Sequence, residues 1–125
     1  MTVCRGLRGA TRADENTAED IYGATRELLQ DLIEANGIVE RDVAMVYFTV
    51  TPDLNAAFPA AAARQLGWNN TALMCATEIP VPGSLPGCVR VLMLINTEKE
   101  SGDLHNIYLK GTDVLRLQGV DTSNV

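Results

Sequence analysis

The chain has little of what a membrane protein, a secreted miniprotein or a metalloenzyme needs. No stretch of its 125 residues approaches the roughly 18 consecutive apolar residues that suggest a membrane span. The opening "MTVCRGLRGA" shows no apolar core of a secretory signal. Cysteine is scarce: Cys4, Cys75 and Cys88 are an odd number without CxxC spacing. That argues against a disulfide framework and a zinc site and for a reducing compartment, so the expected location is cytoplasmic. Histidine is scarcer still, and His105 borders a polar loop, where it reads as a surface residue. Positive charge is also in deficit, and the net charge of -6 disfavours nucleic acid or an anionic membrane surface as a partner. No phosphate loop, HExxH, dinucleotide fingerprint or nucleophile elbow is present, so neither a metal nor a cofactor is expected.

What is there suits one globular domain of common size, with 46% hydrophobic residues. Residues 3–8, "VCRGLR", predict a short strand ended by Gly9. "ENTAEDIYGATRELLQDLIEANG" predicts a helix, with Thr17 as cap, Asp20 in a capping-box position and Gly37 as left-handed stop. Its apolar stripe is Ile21, Ala24, Leu28 and Leu32, flanked by Thr25, Leu29 and Ile33. A strand from Val43 follows, then an irregular crossover, then a second helix from Pro59 that stops at Gly67. "TALMC" predicts a third strand, and a loop with three of the five prolines leads to a fourth, "GCVRVLMLIN". "HNIYL" and "DVLRL" read as short extended pieces. The order β-α-β-α-β-β-β predicts an α/β or α+β domain over residues 1–117, a mixed sheet with helices on one face. Residues 118–125 read as a polar, mobile tail.

The chemistry sits in misplaced arginines. Arg90 lies within the apolar run of the fourth strand, a run that reads as covered on both faces. A guanidinium cannot shed its proton there, so it needs a partner or an anionic ligand. Arg5 and Arg8 in the first strand, Arg64 in the second helix and Arg116 in "VLRL" are further candidates, beside Cys75, Glu78 and Tyr108. Each has a plain structural reading: Arg5 an outward strand residue, Arg64 a solvated helix charge, Cys75 a small core hydrophobe, Tyr108 a rim anchor. For Arg90 an ion pair with Glu78 and a ligand contact stand level. Taken together, several arginines converging on one pocket favour a ligand with more than one carboxylate or phosphate.

"RGLRGAT" at 5–11, "TPDLNAAFPAAAARQLGW" at 51–68, "CATE" at 75–78, "GCVRVLM" at 87–93, and "HNIYL" with "VLR" run in order along the chain. In this the chain resembles the AroH-class monofunctional chorismate mutases of bacteria. The resemblance implies a pseudo-barrel homotrimer with active sites between neighbouring subunits. It implies the intramolecular rearrangement of chorismate to prephenate, toward phenylalanine and tyrosine. Such a reaction needs the substrate held compact and charge supplied where the ether bond breaks, with no covalent catalysis.

By the same resemblance Arg90 points at the ether oxygen, Arg8 holds a carboxylate and Tyr108 bonds a carboxylate oxygen. Glu78 and Cys75 bind the ring hydroxyl, and Glu78 also steadies Arg90. Phe58 and Leu115 are apolar walls, Met74 offers its backbone, and Arg64 and Arg116 lie near the mouth. Three positions depart from the pattern: Ala61 where members often have a polar residue, Met74 where some have threonine, and "RLQGVD" where some continue "RPDL". Two other functions fit an arginine-lined pocket: a carboxylate-binding trimer without turnover, and an imine deaminase on a similar trimeric sheet. "RGLRGAT" and "CATE" argue against the deaminase.

Overall fold

The computed structural model describes residues 1–117; the expected tail at 118–125 lies outside them. Five strands form one mixed sheet in the order β3-β2-β4-β1-β5. They are β1 (Val3–Arg12), β2 (Val43–Val50), β3 (Ala72–Thr77), β4 (Cys88–Thr97) and β5 (Ile107–Tyr108). Helix α1 (Ala18–Asn36) joins β1 to β2, and α2 (Ala60–Gln65) joins β2 to β3. The central strand β4 runs antiparallel to both β1 and β2, whereas β2–β3 and β1–β5 are parallel pairs.

Both helices pack on one face of the sheet, as the element order implies. Leu7 of β1, Val46 and Phe48 of β2, and Val91, Met93 and Ile95 of β4 meet Leu28, Leu29 and Leu32 of α1 and Ala60 and Ala63 of α2. The caps of α1 are those the sequence indicates. Thr17 Oγ1 accepts from the Asp20 N–H at 3.1 Å, and Gly37 turns left-handed at φ 62 while its N–H donates to Ile33 O. The buried stripe ends differently from expectation: Ile33 is only half buried, and Asn36 closes the stripe at 4% exposure.

Four expectations need correction. β1 does not stop at Gly9 but runs on to Arg12. Gly9 is there because α1 presses on the strand: a Cβ would meet the Leu28 and Leu32 methyls at 3.0 Å and the Ile107 carbonyl at 3.3 Å. β3 continues two residues beyond "TALMC" to Thr77, which delivers Glu78 to the sheet. "DVLRL" is no extended piece but part of a 3-10 turn, Thr112–Leu117, and only Ile107–Tyr108 of "HNIYL" pairs as a strand. Finally, β4 is covered along its length on one face only; on the other, Cys88 is buried but the strand opens further on. Val89, Val91, Met93 and Ile95 are at most 4% exposed, whereas Leu92 between them is 41% exposed.

Candidate active site

Residues directly opposed in a ladder point to the same face of the sheet. One such row runs Ala76, Thr49, Arg90, Ala10, Tyr108 across all five strands; the next runs Met74, Tyr47, Leu92, Arg8. Both rows lie on the face away from the helices. Arg90 is flanked across the ladder by Thr49 and Ala10, small residues that leave room above its stem. Arg8, Tyr47, Thr49, Glu78, Arg90, Leu92 and Tyr108 line a cavity of about 200 Å³.

Arg90 is held on both its strand and its tip. Its Nη1 donates to Glu78 Oε1 at 2.9 Å, and the two side chains are 32% and 22% exposed. At that exposure solvent screens the pair, so its contribution to stability is on the surface scale, about 1 kcal/mol or less. Its effect is to orient the guanidinium. Glu78 is itself placed by its N–H, which donates to Val50 O at 2.8 Å. The start of β4 is fixed by a set of hydrogen bonds from neighbouring segments. The Gly87 N–H donates to Asp53 Oδ2 at 2.9 Å, the Cys88 N–H to Thr51 Oγ1 at 3.0 Å, Arg12 Nε to Pro86 O at 3.1 Å, and the Ala13 N–H to Gly87 O at 2.9 Å. Gly87 adopts φ 69, a conformation that excludes most side chains.

A neighbouring cavity of about 330 Å³ shares Glu78 and Arg90 and adds Thr51, Ile79, Leu85, Cys88 and Leu115. Here the Thr112–Leu117 turn folds over the sheet, and Leu115 packs on Ala10 and Cys88. The Ala10 carbonyl anchors that turn, accepting from the Leu109 N–H at 2.9 Å and from Thr112 Oγ1 at 3.1 Å. Arg116 lies with its guanidinium carbon 6.0 Å from the centre of the Tyr108 ring. Burial pushes the Cys88 thiol above the ordinary range, and Arg12 opposes that shift.

The chain thus brings together Arg8, Glu78, Arg90, Tyr108, Leu115 and Arg116, and does not bring the other expected residues to them. Phe58 and Cys75 line a separate cavity of about 460 Å³ with Tyr22, Leu54 and Ala57. Burial raises the Cys75 thiol, while the Ala60 N–H and the Arg64 guanidinium pull it down. Arg64 is exposed on α2. Met74 shares the Arg90 face but sits on the edge strand, 62% exposed. Arg5 bonds outward to Glu100 at 3.4 Å. Sequence reading missed Tyr47, Thr49 and Leu92; the alternation of β2 and β4 around Phe48 and Val91 held the signal.

Two cations, a carboxylate and a phenol converge on this face of the sheet, a set of groups suited to a small anionic molecule. The family model described as chorismate mutase type I matches residues 4–118, and the chain belongs to that family. It is 50% identical over 115 residues to chorismate mutase AroH of Thermus thermophilus, covering 91% of this chain and 94% of that one. To chorismate mutase AroH of Bacillus subtilis it is 40% identical, covering 91% of each. A solved chorismate mutase from Clostridium thermocellum superposes with a TM-score of 0.86 at 51% identity, over 88% of this chain and 98% of the other. Among the described residues no helix is long and apolar enough to cross a membrane.

Proposed function

We propose that the protein is an isomerase that rearranges chorismate to prephenate, and that it does so in the cytoplasm. Its family membership and the Arg90–Glu78 pair on the uncovered face support this reading. The substrate carries two carboxylates, a ring hydroxyl and an allyl ether. In the rearrangement the bond between the ether oxygen and the ring breaks as a C–C bond forms between the enol methylene and the far end of the ring's allyl unit; the enol carbon becomes a ketone, the ring double bond shifts, and no proton is transferred. Negative charge builds on the ether oxygen in the transition state. The Arg90 guanidinium meets that charge, held to its angle by Glu78 so that little reorganisation is needed at the moment of reaction. Arg8 and Tyr108 take a carboxylate, and Leu115 closes an apolar wall; together they hold the compact conformer, from which the reacting carbons are within reach.

In this reading the active site is completed in a homotrimer. Two observations support it. Leu92 and Met74 stand exposed on the face that carries Arg90, an apolar surface of the kind that subunits cover. Phe58, Arg64 and Cys75 are also grouped apart from Arg90 in the single chain. A neighbouring copy that seats its Phe58, Arg64 and Cys75 against Arg8, Glu78, Arg90 and Tyr108 brings both groups to one substrate, with Cys75 and Glu78 at the ring hydroxyl, Met74 contributing backbone, and Arg116 at the mouth.

The test follows chorismate's ring-diene absorbance, with prephenate confirmed as phenylpyruvate after acid treatment. Arg90→Ala and Arg64→Ala are each expected to be nearly inactive. Mixed after partial denaturation and refolding, they regain activity, because some shared sites then lack both substitutions. No recovery from mixed trimers defeats the shared site; no turnover by the folded wild type defeats the activity itself.

A further inference from the structure

The buried polar residue at the end of α1 has no part in the reading above. Asn36 is 4% exposed, and a buried amide is retained where its hydrogen bonds are all met. Its Nδ2 donates to Leu32 O at 2.9 Å and to His105 O at 2.9 Å. Its Oδ1 accepts from the His105 N–H at 2.7 Å. The side chain therefore engages both backbone groups of His105, as a paired strand would. One residue further on, Asn106 Oδ1 accepts from the Arg8 N–H at 2.8 Å. Two residues after that stands Tyr108.

β5 is only two residues long, pairing Ile107 with Gly9 and Tyr108 with Ala10, which is too little ladder to fix its own position. We propose that Asn36 and Asn106 are positioning residues that clamp the strand carrying Tyr108, and so set the distance between its hydroxyl and Arg8. Asn36 fixes the approach of the strand from the helix side; Asn106 fixes it along β1. The inference rests on the reading of Tyr108 as a contact to substrate carboxylate. A displacement of the order of an ångström at such a contact is enough to cost a large part of its benefit.

The experiment compares KM and kcat for Asn36→Ala, Asn106→Ala, Tyr108→Phe and the two double variants, with melting temperatures beside them. Tyr108→Phe removes a hydrogen bond to a charged group, so KM rises about ten- to a hundred-fold. Each asparagine variant raises KM about tenfold with kcat changed less, and adds nothing further on the Tyr108→Phe background. His105→Ala, which leaves the backbone groups in place on an exposed residue, keeps wild-type kinetics.

An Asn36→Ala protein that melts lower but keeps its KM has only a structural asparagine, and the clamp is wrong. Independent, multiplying effects on KM overturn it too, as does a changed KM in His105→Ala. If Asn36→Ala does not fold, Asn106→Ala decides alone, since that residue is exposed. An unchanged KM in Tyr108→Phe overturns the underlying role of the tyrosine first, and with it the clamp.

Discussion

The two faces of the sheet are built from the same strands and follow opposite rules. On the helix side Leu7, Val46, Phe48 and Met93 are fully buried and make one continuous core with α1 and α2. On the other side, one residue along each strand, stand Arg8, Tyr47, Arg90 and Leu92, with space above them. The first face supplies nearly all the apolar burial. The second carries the charged and polar groups to which the proposed function assigns the substrate. Period-two alternation keeps the two demands apart while tying them to one backbone.

That division breaks most visibly in the core. Phe48→Ala removes a fully buried aromatic and is expected to cost about 3–5 kcal/mol of stability. The check is the urea midpoint, with turnover per folded molecule staying near wild type. Arg90→Ala is the converse. Turnover is expected to fall at least about 100-fold, or about 2.7 kcal/mol of transition-state stabilisation. The melting temperature should move little, because the Glu78 pair is partly exposed. Arg90→Lys is also severely impaired, since the charge stays but the planar fork is lost; a near-normal rate in either variant would overturn the mechanism.

Gly9→Ala strikes both faces together. Its new methyl must push aside the Leu28 and Leu32 methyls at 3.0 Å, an overpacking of about 1–3 kcal/mol. Because Arg8 and Ala10 flank it, KM should rise alongside the loss of stability; a stability loss with unchanged KM separates the faces more completely than the structure suggests. The smallest effect concerns pH. Burial raises the Cys75 and Cys88 thiols. A thiol raised in the folded state contributes stability below its unfolded pKa of about 8.5, and loses it as pH climbs through the folded value. Urea midpoints should therefore fall on going above about pH 8.5, and Cys88→Ala should flatten part of that slope.

Much of this was legible in the residues. The caps of α1 follow from Thr17 and Gly37, and the helices' common face follows from the order of elements. Arg90 announced itself as a cation in an apolar strand. Four things were not legible. Gly9 looked like a stop because local propensity knows nothing of the helix pressing on it. The run from Cys88 to Ile95 looked covered on both sides because Leu92 and Leu94 are as apolar as Val91 and Met93; composition does not say whether a cover comes from the same chain. The Thr112–Leu117 turn looked extended because its shape depends on a carbonyl a hundred residues earlier, that of Ala10. Asn36 was passed over for a similar reason: its partner, His105, is distant in sequence and bonded through backbone.

The alternation in β1 has a consequence for how such a gene can vary. Leu7, Gly9 and Thr11 point to the helices while Arg8 and Ala10 point away. Insertion or deletion of a single codon within the strand would send the arginine into the hydrophobic side and the leucine into water, since a one-residue slip exchanges the faces. Substitutions can be tried one position at a time, but length cannot. Changes in length are therefore channelled out of β1 and β4 and into the connections that follow β3 and β4, away from the anchors at Gly87 and Asn106.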